Sequence, residues 1–172
     1  MRKLLYALGL VVAASSMTTA TAQNEASTLM VGARLGVPLS ASAKYFISDA
    51  DAIEAYVGIR GSSVYNWINI NGAYLRHQPL GLDGELAPLN WYFGGGAGVY
   101  IFSYDLGPLF DESDFSTTAI AISGYIGLQY PFSDIPLEIT LDWSPSLFLG
   151  NGFVTGFEGG QGAVGVRYIL GR

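Results

Sequence analysis

The side chains able to do chemistry are few and scattered. His77 is the single histidine of the chain. No serine or carboxylate stands at a spacing that would recruit it as a general base. A lone histidine in this setting reads as a turn residue. Asp111-Glu112-Ser113-Asp114 is the densest acidic run. Its oxygens are of the type calcium takes, but the run reads first as a solvated loop. Neither a G-x-S-x-G nucleophile elbow nor a P-loop occurs. Gly94-Gly95-Gly96 opens no helical pattern, so it is not a phosphate cradle. In a curved sheet such glycines allow bending, or leave room for a bulky neighbour. The absence of cysteine excludes a disulfide scaffold and a thiolate metal or redox centre. The sequence therefore assigns no catalytic, cofactor-binding or metal-ligating residue, and an enzyme is not expected.

The elements that would carry any site come next. The chain has 172 residues, half of them apolar and only 13% charged. Disorder is not expected from that balance, and a single domain is the default at this length. The net charge of −6 argues against nucleic acid as a partner. Arg2 and Lys3 precede the apolar run from Leu4 to Ala14, and Ala20-Thr21-Ala22 follows with small residues at both recognition positions. Residues 1–22 read as a secretory signal peptide, with a mature chain from Gln23. Losing Arg2 and Lys3 takes the net charge from −6 to −8.

Beyond residue 22 the alternation has a period of two, the period of strands. Leu137, Ile139, Leu141 and Trp143 alternate with Glu138, Thr140, Asp142 and Ser144. Ile53, Ala55, Val57 and Ile59 alternate with Glu54, Tyr56, Gly58 and Arg60. Val164, Val166, Tyr168 and Leu170 oppose Gly165, Arg167 and Ile169. Eight strands are predicted, over 28–37, 39–47, 52–60, 64–76, 89–102, 117–130, 137–147 and 161–170. The fourth is the least regular, because Gly72 to Arg76 blurs a period that Trp67 to Asn71 keeps. Turn residues join them at Ser48-Asp49-Ala50-Asp51, Ser133-Asp134-Ile135-Pro136 and Gly150-Asn151-Gly152.

Alternation alone fits a soluble sandwich or a membrane barrel. The polar face discriminates between them. In a soluble sheet it meets water and carries many charges. Here it is mostly Gly, Ser, Asn, Thr and Tyr, as in the row Asn90, Tyr92, Gly94, Gly96, Gly98 and Tyr100. Such a row suits a narrow lumen filled by side chains. The opposite row, Leu89, Trp91, Phe93, Ala97, Val99 and Ile101, is then left for lipid. In hydrocarbon every backbone N–H and C=O must be paired, so only a helix or a closed sheet can span it. The expected fold is an all-β, closed, antiparallel, eight-stranded up-and-down transmembrane barrel occupying residues 23–172.

With both termini in the periplasm, Tyr45, Tyr74, Trp91, Tyr130 and Tyr168 fall near the periplasmic ends of outward rows. Tyrosine and tryptophan favour the headgroup layer. The connections at 48–51 and 131–136 are short, and those at 103–116 and 149–160 are long, as this orientation requires. Two connections dissent, the long segment from His77 to Pro88 and the very short turn at Val37-Pro38.

Several segments resemble one family: Ala43 to Asp49, Ala52 to Ala55, Gly58 to Arg60, Leu89 to Gly96, Ile135 to Leu137 and Leu141 to Pro145. The chain is similar to the small eight-stranded outer-membrane barrels of the OmpA/OmpX type, in the group without a periplasmic domain. The similarity runs over nearly all of residues 28–170. At the end, Leu170 stands where such barrels usually carry an aromatic, and Gly171-Arg172 follow. The resemblance implies a location in the cell outer membrane of a Gram-negative bacterium. It implies outer-membrane lipids, lipopolysaccharide and the barrel-insertion machinery as partners. It supplies no reaction, no cofactor and no extracellular ligand.

The inward charges nearly balance, with Arg34, Lys44, Arg60 and Arg167 against Glu54, Glu138 and Asp142. Their positions on adjacent strands predict ion pairs Lys44–Glu54 and Glu138–Arg167, in a lumen that passes no solute. Leu109-Phe110 and Phe153-Val154 read either as adhesive loop tips or as a cover for the barrel mouth. The leading expectation is a structural or surface-interaction barrel. The alternatives are a soluble lipocalin-like carrier with an apolar interior, a lipid-modifying barrel enzyme and a small-solute channel.

Overall fold

The computed structural model describes residues 26–61, 65–104, 115–150 and 155–170. The strands are β1 (Leu29–Gly36), β2 (Leu39–Phe46), β3 (Asp51–Gly61), β4 (Tyr65–Pro79), β5 (Asn90–Tyr104), β6 (Phe115–Pro131), β7 (Leu137–Leu149) and β8 (Gly156–Ile169). Each pairs with its neighbours in sequence, and antiparallel pairing of β1 with β8 closes the barrel, from Met30 opposite Ile169 to Gly36 opposite Ala163. No helix among the described residues is long and apolar enough to cross a membrane.

Closure gives the sheet an inside and an outside, and the sequence alternation follows the pleat. Ile139, Leu141 and Trp143 point outward, while Glu138, Thr140, Asp142 and Ser144 are buried within. The second pattern behaves alike, with Ile53, Val57 and Ile59 exposed and Glu54 and Tyr56 buried. Leu141 is 57% exposed and Glu138 0% exposed, although they lie three positions apart. That distribution is the reverse of what an apolar-cored soluble carrier needs. The five aromatics expected at one end, Tyr45, Tyr74, Trp91, Tyr130 and Tyr168, all lie on outward rows, and none is buried. Their end holds the short connections 47–50 and 132–136 and the ten-residue connection 80–89, and is the turn end; the two-residue connection Val37-Pro38, expected to dissent, does lie at the opposite end. The other end is the loop end.

The tight connections are closed by local hydrogen bonds. The Ser48 hydroxyl accepts from the backbone N–H of Asp51 at 3.0 Å and donates to the Asp51 carboxylate at 2.8 Å. The Phe132 N–H donates to the Leu137 carbonyl at 2.9 Å.

Three boundaries differ from the sequence expectation. β4 runs to Pro79 without losing its alternation, since Trp67, Asn69, Asn71, Ala73, Leu75 and His77 are all buried. Gly72 and Ala73 lower the contrast between its faces, but pairing with β3 and β5 holds the pleat. The connection that follows is accordingly shorter than expected, over 80–89, and carries one 3₁₀ turn at Gly84–Leu86. β8 starts at Gly156, earlier than its glycine-rich sequence suggested.

This early part of β8 is irregular. The register with β7 shifts between Ser144 and Ser146, where Pro145 offers no N–H. Gly160 supplies a φ of 133°, and a β-carbon there would collide with the Trp143 indole. That indole donates to the Gly159 carbonyl at 3.0 Å. It thus satisfies a backbone acceptor on the outer wall, next to the bulge.

The assignment of faces has a direct consequence for stability. Leu141→Arg should cost ~2–4 kcal/mol near the bilayer midplane. Thr140→Ser, one residue away, keeps the hydroxyl that accepts from Arg167 at 3.1 Å and should change stability little. Urea unfolding of the folded barrel in lipid vesicles measures both. Equal losses would mean the faces are reversed.

Candidate functional site

The lumen is layered along the barrel axis. At the turn end Met30, Phe46, Ala52 and Ile169 form an apolar cluster. Toward the loop end Trp67, Tyr100, Phe102 and Phe148 pack as an aromatic cluster with Ala119 and Ala121. Between these lies a chain of charges.

β1, β2, β3, β7 and β8 bring Arg34, Lys44, Glu54, Glu138, Asp142 and Arg167 together. Asp142 pairs with Arg34 at 2.5 Å, and Arg34 also reaches Glu54 at 3.3 Å. Glu54 pairs in turn with Arg167. Arg167 pairs with Glu138 at 2.9 Å, and Glu138 pairs with Lys44 at 2.6 Å. The signs alternate along the whole chain, so its formal charge sums to zero. Every side chain in it is at most 5% exposed.

Hydrogen bonds complete the chain. Arg167 donates through Nε to the Ser42 hydroxyl at 3.0 Å and through a terminal nitrogen to Thr140. Tyr92 donates to the Asp142 carboxylate at 3.0 Å. The Arg34 guanidinium lies 4.5 Å from the Tyr56 ring centroid, and the Tyr56 hydroxyl meets that of Tyr125 at 2.9 Å. The wall formed by β4, β5 and β6 faces this chain with uncharged residues, among them Asn69, Asn71, Tyr92, Tyr125 and Gln129. Glycine makes room for the largest of these groups. A β-carbon at Gly127 would strike the Tyr92 ring, and one at Gly165 would strike Thr140 and Arg167.

Glu138 and Arg167 pair as expected from the sequence. The expected Lys44–Glu54 pair does not form, although the two residues are direct register partners. Lys44 instead reaches Glu138, while the longer arms of Arg34 and Arg167 take Glu54. The fourth predicted inward cation, Arg60, sits apart from the chain, 5.7 Å from the Trp67 ring. The link from Arg34 to Asp142 and the phenol partners Tyr56, Tyr92 and Tyr125 were not anticipated. Their signal in the sequence is only that they share inward rows.

His77 is not a turn residue. It lies inside β4, 5% exposed, between the rings of Phe46 at 4.9 Å and Tyr92 at 5.0 Å. Its backbone N–H donates to the Ala50 carbonyl at 2.6 Å. The acidic run at 111–114, the tips Leu109-Phe110 and Phe153-Val154, residues 1–22, and Gly171-Arg172 lie outside the described residues. Among the described residues no group of three or more His, Asp or Glu side chains is placed to hold a metal ion.

No known family model matches the chain, and no curated protein matches its sequence. Among solved structures it is similar to the N-terminal β-barrel domain of Pseudomonas aeruginosa OprF, with a TM-score of 0.59 and 14% identity. The match covers 84% of this chain and 96% of that one. At this identity the likeness is one of fold, a small closed β-barrel.

The alternating chain predicts a large, local stability loss. Glu54→Gln keeps the side-chain shape but leaves Arg34 and Arg167 short of a counter-charge. Breaking a buried pair from one side typically costs ~3–5 kcal/mol. Asp134→Asn, on the exposed turn, should cost little by comparison. Equilibrium unfolding of both variants decides it, and similar midpoints would remove the chain's structural role.

Proposed function

We propose that this protein is an integral outer-membrane barrel with a structural or surface-interaction role and a lumen filled by its own side chains. The observation that carries the reading is the separation of faces. Ile70 is 62% exposed and Leu141 57% exposed, while Lys44, Glu54 and Arg167 are each 1% exposed. Water would favour the opposite arrangement, whereas acyl chains favour this one. The similarity of fold to the barrel of an outer-membrane protein agrees with it.

On this reading the signal peptide at residues 1–22 exports the chain and the insertion machinery assembles it. Outer-membrane lipids and lipopolysaccharide then surround the apolar wall. The role is not catalytic, because the buried charges neutralise one another and none is presented to a substrate. The lumen conducts no solute in bulk, because an apolar cluster, the charge chain and an aromatic cluster follow one another along its axis.

Cell fractionation with a heat-modifiability gel tests the location. The protein should enter the outer-membrane fraction, require detergent for release, and migrate differently before and after boiling. Release into buffer without detergent would reject the reading. In planar bilayers the purified barrel should show no large, stable single-channel currents. Such currents would reject the filled lumen.

A further inference from the structure

The connection over 80–89 bears side chains that the barrel wall does not explain. Leu80, Leu82 and Leu86 are 41%, 42% and 53% exposed, in a segment that also carries Asp83 and Glu85. The segment does not hang below the lumen. The Tyr130 hydroxyl, on the outward face of β6, donates to the Glu85 carbonyl at 2.7 Å. The Leu80 N–H donates to the Leu89 carbonyl at 3.1 Å, and the Asn90 side chain donates to the Pro88 carbonyl at 3.1 Å. The connection is therefore tied to the outer wall beside Trp91, Phe93, Tyr130 and Phe132. Trp91 stacks on Phe93 at 5.2 Å, and Tyr130 meets Phe132 edge-on at 5.0 Å. The three leucines extend this aromatic band past the end of the sheet.

Among the described residues the charge at this end is mostly negative. Asp49, Asp83, Glu85 and Asp134 are exposed here, and Arg76, the one cation among the described residues of this end outside the lumen, is paired with Asp51 at 3.4 Å. Leucines against acyl chains and carboxylates at headgroup depth together select a lipid. Anionic headgroups would be repelled. Headgroups that carry an ammonium group would be attracted.

We propose that the 80–89 connection is an in-plane anchor that seats on zwitterionic, ammonium-bearing phospholipid of the periplasmic leaflet. Leu82 and Leu86 enter the boundary between headgroups and chains, and Asp83 and Glu85 face the ammonium groups. This inference rests on the outer-membrane reading and on the orientation that puts the turn end in the periplasm. Amphipathic segments bind such boundaries through buried apolar area plus headgroup electrostatics. Here the barrel already holds the segment in place, so little ordering is lost on contact.

The chain has no cysteine, so single nitroxide labels can be placed cleanly. The labelled variants are Leu86→Cys, with Leu82→Cys as a second probe should the first fail to fold. Leu141→Cys serves as the mid-wall reference and Asp134→Cys as the aqueous one. The full barrel is inserted into vesicles of phosphatidylethanolamine and phosphatidylcholine, and the collision ratio of oxygen to a water-soluble nickel complex is read at each site. The label at Leu86 should show a ratio several-fold above that at Asp134 and below that at Leu141. Replacing the zwitterionic lipid stepwise by phosphatidylglycerol should lower it toward the Asp134 value. The pair Asp83→Asn with Glu85→Gln should abolish that decline. A water-like ratio at Leu86 with a lipid-like ratio at Leu141 would overturn the anchor and leave the barrel reading intact. It would also point to a periplasmic protein as the occupant of the leucines. A water-like ratio at Leu141 would overturn the membrane reading and the anchor together. Insensitivity to phosphatidylglycerol would overturn the headgroup preference.

Discussion

The pairing of β1 with β8 is the constraint on which everything else rests. Without it the sheet would expose a free edge along Met30–Gly36 and another along Ala163–Ile169. In hydrocarbon each unpaired backbone group would cost several kcal/mol, so an open sheet has no viable form there. Closure removes both edges and at once creates a narrow interior. Eight strands leave room for side chains and little else. The charged part of that interior is filled with side chains that neutralise one another. The irregular stretch around Pro145 obeys the pairing requirement of the backbone, with the Trp143 indole supplying a donor to the Gly159 carbonyl.

Filling such a space with charge succeeds only under tight conditions. Three cations and three carboxylates lie in alternating order, so each inner member meets two opposite charges. The ends are supported differently. Asp142 accepts from Tyr92, and the Lys44 ammonium lies 5.4 Å from the Phe46 ring centroid. The smallest residues stand where the largest side chains cross. Gly127 admits Tyr92, and Gly165 admits Arg167. Glycine content, inward aromatics and buried charge are thus one packing solution.

The faces of β3, β5, β7 and the later part of β8 were legible because period two is a local property of the sequence. β7 shows this most cleanly, since each of its inward residues from Glu138 to Ser146 is polar. The partners across the lumen were not legible. Adjacent strands put Lys44 opposite Glu54, yet the contact goes to Glu138. Which residues share a height depends on strand tilt and stagger, quantities that hydropathy does not encode. Arginine reach then decides among candidates at similar height. His77 was misplaced for a related reason. The end of β4 is set by its ladder with β5, where Gln78 faces Trp91 and Pro79 faces Asn90. A proline and a lone polar residue look like a turn when that ladder is unseen.

A buried ion chain is weak evidence for stability, because desolvation offsets much of the attraction. Its stronger effect here is on register. Slipping a strand by one residue sends every inward side chain outward. For β2 that would put Lys44 on the outer wall, for β3 Glu54, and for β8 Arg167. A lysine or arginine facing lipid costs ~2–4 kcal/mol at the midplane, and the abandoned partners inside would lose their counter-charges as well. The apolar rows alone would not impose this penalty, since outward Ala41 and Ala43 differ little in polarity from inward Ser40 and Ser42. On β2 the lysine therefore fixes what the hydropathy contrast leaves loose. The same residues that fill the lumen thus make one pairing of the strands far better than its neighbours.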